Sequence, residues 1–348
     1  MNEISGTPAV TVIMPAYNAE AFIEGSVRSI LAQSFRSIQL IVVNDGSADS
    51  TGDILDRLSR EDGRLTVLHV PNGGPAAARN RGLNAADPAA EYIMFADADD
   101  ELMPDAVEYA VSRGGGADMI LMGFSIRNAD GSEAYYNEPE QHLTPEDIGG
   151  ALGKLYKANL LNQVWAKLYR TELIRKNGIR FPDYRWGEDR LFIYECLEHS
   201  ECVTVLPECK YRYIMHPGES LITRYYDKKF DVCLEADARM QQLCRRFGAE
   251  DGGDFRYMFV KSVFSCITTL FSPTCTLSRS EKKQEIKRII RHPQVQERSR
   301  SVFGGVSVRG LCAVMRTKCV WLNYTAFRFV AWVGSAAPKL FTRLKHRK

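Results

Sequence analysis

The chain has 348 residues, 45% of them hydrophobic and 25% charged, with a formal net charge of +2. That length supports a full hydrophobic core and two units, and the balance is ordinary for a soluble globular protein. Nine cysteines, an odd number, form no CxxC and no zinc-like Cys/His spacing, which favours buried, reduced thiols in a cytosolic protein.

In chain order, "VTVIMP" (10–15) predicts a strand, after a start that lacks the basic region of a signal peptide. "AEAFIEGSVRSILAQS" then places Ile23, Val27, Ile30 and Leu31 on one helical face. "IQLIVVND" (38–45), "LTVLHV" (65–70) and "YIMFAD" (92–97) predict further strands, with helices after "SADS" and from "PAAARNRGLNAA". "ADMILMGFSI" (117–126) adds another. Apolar strands alternating with helices argue for an α/β fold, a mostly parallel sheet flanked by helices. From about residue 144 longer helices are expected, roughly 145–160 and 187–199, flanking two short strands, "CVTVLP" and "KYRYIMH". From about 228 the chain reads as mostly helix.

The small net charge hides an asymmetry. Residues 276–348 hold 17 Lys and Arg against 3 Asp and Glu, a net of +14, and the remainder, 28 against 40, nets −12. An acidic body with a basic tail points to an acidic partner for the tail, such as a membrane surface or nucleic acid. The final stretch, "KCVWLNYTAFRFVAWVGSAAPKLFTRLKHRK", is interrupted by Asn323, Arg328 and Pro338, so it does not suit a spanning helix. It fits a helix lying on a membrane surface and, equally, an ordinary core-packing helix with a solvated basic end.

In an open parallel sheet, ligands bind beyond the carboxyl ends of the strands. Those ends carry "PAYN" (15–18), "NDGSADS" (44–50), "PNGGPAAARN" (71–80) and "ADADD" (96–100). Carboxylates crowded together are costly unless a cation neutralises them, and Mg(II) or Mn(II) commonly joins a carboxylate to substrate phosphates. "DAD" sets Asp97 and Asp99 on one side if the backbone stays extended. Asp99 is the expected metal ligand, whereas Asp100 and Glu101 are expected to complement the dipole of the next helix. "GGPAAARN" lets backbone approach a phosphate or base but is not GxGxxG. Arg79 could pair with an anionic oxygen, Tyr17 could stack on a ring, and Asp45 either accepts from a base N–H or makes an Asx turn. In "RWGEDRLF", Glu188 and Asp189 open a helix, and one of them could take a proton from a hydroxyl nucleophile. His216 follows in "YRYIMHPGES".

Taken together, "VTVIMPAYNAEAFIEGSVRSILAQSF", "LIVVNDGSADST", "NGGPAAARNRGL", "YIMFADADDELMP" and "WGEDRLF" resemble glycosyltransferase family 2, of GT-A fold, over about residues 8–225. "VWAKLYRTELI" and "YRYIMHPGESLITR" are similar to bacterial members that build capsular or exopolysaccharide units, except that Ala166 replaces the usual asparagine before Lys167. The resemblance implies a GT-A domain over 1–225, with a nucleotide-sugar half at about 8–125 and an acceptor half at about 126–225. A helical region with a basic, membrane-associating tail follows over 226–348. It implies inverting transfer from a nucleotide sugar, usually a uridine diphosphate (UDP) sugar, to a glycan or lipid-linked acceptor, with Mn or Mg. By position, Pro15, Ala16, Tyr17, Asp45, Asn72, Arg79, Asp97 and Ala98 would surround the donor. Asp99 and His216 would hold the metal, and Asp189 would be the general base with Glu188 beside it. No nucleic acid is expected as a partner. A homo-oligomer is left open, and the expected location is the cytoplasm, at the inner face of the plasma membrane. A nucleotidyltransferase would instead release pyrophosphate, and a non-catalytic binder would have no need of a base. A nicotinamide dehydrogenase lacks its glycine fingerprint.

Overall fold

The computed structural model describes residues 7–216, 224–300 and 305–336. The expected motif residues 217–223 and the basic end 337–348 lie outside the described residues. The chain divides into two compact units, residues 1–217 with 245–249, and residues 218–244 with 250–348.

The first unit begins with β1 (Val10–Ala16), α1 (Ile23–Leu31), β2 (Ile38–Asp45), α2 (Thr51–Glu61), β3 (Leu65–Val70), α3 (Pro75–Ala85) and β4 (Tyr92–Phe95). These strands pair in parallel in the spatial order β3-β2-β1-β4. Every residue of β1 except half-buried Pro15 is buried, as a strand covered on both faces requires. Helix α3 lies close on β1 because residue 82 is glycine: a Cβ there would come within 2.3 Å of Ile13 Cγ2. One turn earlier on the same helix stands Arg79, which this packing carries to the end of the sheet. Strand order reverses between β1 and its two neighbours, and an open α/β sheet binds its ligands outside the carboxyl ends of the strands at such a point.

The remaining elements of this unit are β5 (Glu101–Leu102), α4 (Ala106–Arg113), β6 (Met119–Arg127), β7 (Glu133–Tyr136), β8 (Gln141–Leu143), α5 (Pro145–Lys157), β9 (Lys167–Arg170), α6 (Thr171–Lys176), α7 (Glu188–Glu198) and β10 (Val203–Ile214). They extend the sheet to ten strands, in the order β3-β2-β1-β4-β9-β6-β10-β5, with β7 on β6 and β8 on β10. β6 and β10 are parallel, whereas β5, β7, β8 and β9 enter antiparallel. The long ladders are therefore parallel and the short ones antiparallel, giving a mixed sheet flanked by helices.

Three local expectations are corrected. β4 ends at Phe95, two residues early, because residues 97–100 turn, with Asp100 N donating to Asp97 O at 3.4 Å. Asp97 and Asp99 therefore do not share a face by strand alternation. Asp100 and Glu101 do not open a helix: Asp100 is buried, Glu101 pairs with β10, and α4 starts at Ala106. The two short strands near 203–214 are one strand, whose shifts in register between Leu206 and Tyr211 absorb the irregular "PECK" in its middle.

The second unit is helical: α8 (Lys229–Arg246), α9 (Gly253–Thr269), α10 (Arg279–Arg291), α11 (Pro293–Arg298), α12 (Val306–Arg316) and α13 (Val320–Ala336). Its core joins Phe230, Phe259, Val263, Ile267, Ile286, Ile290 and Phe327. None of the nine cysteines is in a disulfide, and six are buried. Among the described residues no helix is long and apolar enough to cross a membrane.

Candidate active site

The turn after β4 sorts its three aspartates by environment. Asp100 is 4% exposed, and its carboxylate accepts from the Tyr211 hydroxyl at 2.7 Å and from Ile214 N at 3.0 Å. Burial, with the Asp97 and Asp99 charges nearby, holds its carboxyl well above the usual range. The Tyr211 hydroxyl also accepts from Asp97 N at 3.1 Å, so one phenol pins both ends of the turn. Asp99 points elsewhere, with a side chain 42% exposed. His216 Nε2 is 3.4 Å from its carbonyl and 3.9 Å from its carboxylate, and the imidazole stacks on Phe22 with ring centres 3.9 Å apart. Burial and Asp97 push the Asp99 carboxyl up to about 6, against the pull of His216.

Asp97 faces Arg79, the centre of the site. Arg79 Nη2 donates to Asp97 Oδ1 at 3.0 Å, while Nη1 donates to Asp189 Oδ1 at 2.8 Å and to Glu188 Oε1 at 3.2 Å. The guanidinium is buried and rests 5.5 Å from the centre of the Phe181 ring, which stacks on Phe192 and meets Phe95 edge-on. This aromatic floor keeps water off one side of the ion cluster. Asn80, the next residue on α3, secures the floor with a two-way bond to the Phe181 backbone, both distances 2.9 Å. Residues more than a hundred positions apart thus meet on one cation.

Asp189 and Glu188 start α7, where Gly187 at φ +81° turns the chain into the helix. Glu188 is buried, and the Asp189 side chain is 21% exposed. Burial, with Glu188 and Asp97 adding to it, pushes the Asp189 carboxyl up to about 7, against the attraction of Arg79 and Lys167. Three carboxylates keep Arg79 protonated. An acid near neutrality that is partly open to solvent has the properties of a general base.

At the ends of β1 and β2 the geometry is that of a shaped loop. Asp45 is buried, and its two carboxylate oxygens accept from Gly73 N at 2.9 Å and Gly74 N at 2.7 Å. Asn72 Nδ2 returns a bond to Asp45 O at 2.9 Å. The Asx-type bond belongs to Asn44, whose Oδ1 accepts from Ser47 N at 3.2 Å, and not to Asp45. Tyr17 is 56% exposed at the mouth of this region, with Pro15 half-buried and Ala16 buried behind it. Ala98 is buried in the acid turn.

Lys167 is the site residue whose role the sequence left undefined. It is fully buried, and its ammonium donates to Gln163 O at 2.7 Å and to Trp165 O at 3.3 Å. Burial brings it down to about 7, while Asp189 acts to raise it. The loop that it ties contains Ala166 at φ +56°, a left-handed conformation that asparagine adopts more readily than alanine, which explains the asparagine usual at this position in the resembling sequences. Trp165 on that loop stacks on Tyr211 with ring centres 4.6 Å apart and so supports the phenol that pins the acid turn. A lysine at the head of a buried strand was the available signal for Lys167. Tyr211 gave none, because an aromatic residue in a strand is ordinary.

Among the described residues no group of three or more His, Cys, Asp or Glu side chains is placed to hold a metal ion. Asp99 and His216 form a two-donor set facing outward. Such a set suits a hard divalent ion that takes its remaining ligands from substrate oxygens and water, and it does not suit an all-protein cage.

Comparison with known proteins bears on the family and the overall fold. The family described as "Glycosyl transferase family 2" matches residues 11–183. Glycosyltransferase GlyG of Streptococcus pneumoniae serotype 4 is 34% identical over 259 residues, covering 68% of this chain and 85% of GlyG. The uncharacterized glycosyltransferase EpsJ of Bacillus subtilis (strain 168) is 31% identical over 233 residues, covering 66% of this chain and 67% of EpsJ. In overall fold the chain is similar to S. aureus TarS 1–349 crystallised with UDP-GlcNAc, with a TM-score of 0.61 and 22% identity over 93% of this chain and 92% of that one.

Proposed function

The chain belongs to glycosyl transferase family 2 and is a glycosyltransferase; from that premise we propose that it moves a sugar from a UDP-sugar to a hydroxyl of a glycan or lipid-linked acceptor, with inversion. The observation that carries this reading is the Arg79 hub, which holds Asp97 from the β4 turn and Asp189 from α7 together. One arm of the hub faces the donor side and the other presents a base. The acceptor hydroxyl gives its proton to Asp189 as its oxygen bonds to the anomeric carbon. The bond from that carbon to the diphosphate breaks with its electron pair, and the nucleoside diphosphate leaves from the opposite face.

Asp99 and His216 would hold Mn or Mg together with diphosphate oxygens, and when bound the ion supplies neutralisation of the charge growing on the leaving group. Tyr17, Asn72 and the Asp45 loop would receive the base and ribose, since each Asp45 carboxylate oxygen keeps a second lone pair. Arg79 is already engaged by three carboxylates, so it acts on the donor through Asp97. On this reading it works in cell-surface polysaccharide synthesis, in the cytoplasm at the inner face of the plasma membrane.

The test is a screen of nucleotide sugars scored by release of free nucleoside diphosphate, with and without Mn(II), starting with UDP-GlcNAc because TarS was crystallised with it. The expected result is UDP release from one UDP-sugar, dependent on the metal and lowered at least about a hundredfold in Asp189→Asn. Release of pyrophosphate, or equal turnover by Asp189→Asn, would refute the proposal.

A further inference from the structure

Helix α13 is two-faced in a way the catalytic reading does not use. One face is core: Asn323, Tyr324 and Phe327 are buried, and Asn323 Nδ2 ties the helix to Val314 O and Cys319 O, each at 3.0 Å. The opposite face carries Trp321, Thr325, Arg328, Phe329 and Trp332, all exposed. Their spacing of four, three, one and three places them in one stripe, about 16 Å long at 1.5 Å per residue. Trp321, Phe329 and Trp332 are 64%, 61% and 62% exposed. Two tryptophans and a phenylalanine open to water on one helix face make an apolar patch of the kind that marks an interaction site.

The charge around the stripe selects its partner. Glu297 is the last acidic residue in the sequence, so residues 298–348 contain eleven Lys and Arg and no Asp or Glu. Arg309, Arg316 and Lys318 on α12 and the following turn are exposed, as is Arg328 within the stripe. A second copy of this face would oppose positive charge with positive charge and offer no acid to pair with it. A nucleic-acid backbone would answer the charge but not bury the side chains of a helix stripe. An anionic lipid surface answers both: tryptophan and phenylalanine sit at the headgroup–acyl boundary while Arg and Lys meet the headgroups.

We propose that the exposed face of α13, with the basic residues of α12 and the adjoining turn, docks this protein on an anionic lipid surface, the helix lying along the interface. The proposal rests on this surface and not on the assignment of the catalytic residues, so either can fail without the other.

The full chain is mixed with phosphatidylcholine vesicles, pure or containing phosphatidylglycerol, and sedimented. Binding is expected to the mixed vesicles and to fall in high salt. The triple variant Trp321→Ser, Phe329→Ser, Trp332→Ser should keep its thermal midpoint and UDP release, and lose at least about tenfold in partitioning. Arg316→Glu with Arg328→Glu should remove the preference for the anionic lipid. Lipids brominated on the acyl chain should quench the fluorescence of the full chain, and quench Trp321→Phe/Trp332→Phe much less although that variant still binds. Equal sedimentation of the triple variant and the parent would overturn the proposal and assign any binding to the terminal basic run. So would a concentration-dependent dimer, seen without lipid and abolished by the triple substitution.

Discussion

Among the described residues two arginines are buried among carboxylates, one in each unit, and they differ in how the charge is balanced. Arg298, in the helical unit, is 3% exposed, bonds Asp237 at 2.9 Å and grips both oxygens of Asp251 at 2.7 and 2.8 Å. Asp237 accepts further bonds from Gln241 and Gln294, so neutral amides finish what the cation leaves over. Arg79 meets three carboxylates, with Asp99 and Asp100 near by, and the buried Lys167 is the other cation that reaches Asp189. The first cluster sets one cation against two carboxylates, Asp237 being raised by burial, and the amides complete its hydrogen bonds. The second carries surplus negative charge, with Asp99 and Asp189 both raised and partly open to solvent, and a cationic or proton-donating ligand would relieve it. On the function proposed above, the Arg298 cluster is completed within the fold, whereas the Arg79 cluster is left to be balanced by substrate.

The comparison breaks most sharply at Asp189. Asp189→Asn keeps the shape and removes the base, and turnover should fall by about 10²–10⁴-fold. Donor affinity, measured by calorimetry, should stay nearly intact. Wild-type turnover in this variant would make the Arg79 cluster as structural as the Arg298 one.

Next come the arginines themselves. Arg79→Gln and Arg298→Gln should each cost about 3–5 kcal/mol in denaturant unfolding, because each leaves buried carboxylates unpaired. They should part in kinetics. The Arg79 variant should lose at least about a hundredfold in kcat as the base and donor side shift, while the folded Arg298 variant should turn over normally.

The pH profile follows. Asp189 accepts a proton only when ionised, and burial pushes its carboxyl up to about 7 in the ligand-free protein, so kcat/KM should fall about tenfold per pH unit below that value. Stability moves the other way. Between the ordinary carboxylate range and about 7 the folded state holds a proton that the unfolded state has released. This contribution is greatest at low pH and is lost as pH rises through about 7. Replacing Asp189 with Asn should remove that slope from the unfolding free energy. A slope that persists would assign it to other groups.

The smallest effects sharpen the two environments. Gln241→Ala deletes one of several bonds to Asp237 and should cost about 1–2 kcal/mol, with no change in turnover. Ala166→Gly relieves a left-handed alanine and should gain at most about 1 kcal/mol in the thermal or denaturant midpoint.

Much of the first hundred residues was legible, because each strand there is a continuous apolar run ending in polar residues and each helix follows at short range. The strands at 10–16, 38–45 and 65–70 lie where the pattern placed them, and they run parallel, so their carboxyl ends share one edge of the sheet. Legibility fell where pairing was distant. β5 has only two residues, β9 four, and neither has a period of its own; they are strands because β10, β4 and β6 offer them backbone partners. Asp100 carried a helix-start pattern, but the remote Tyr211 and Ile214 satisfy it in the interior.

By itself the sequence determined which residue types stand at the strand ends, and hence the chemistry available: carboxylates, an arginine, small residues before a helix, and a chain end without acids. Only the tertiary structure decided that Arg79 turns inward to hold Asp97, Glu188 and Asp189, and that α13 buries one face and leaves its tryptophans outside. The reason is physical. Local periodicity fixes which side of an element is apolar, but a salt bridge between residues a hundred positions apart, or the side of a helix that a core happens to cover, depends on how the elements pack.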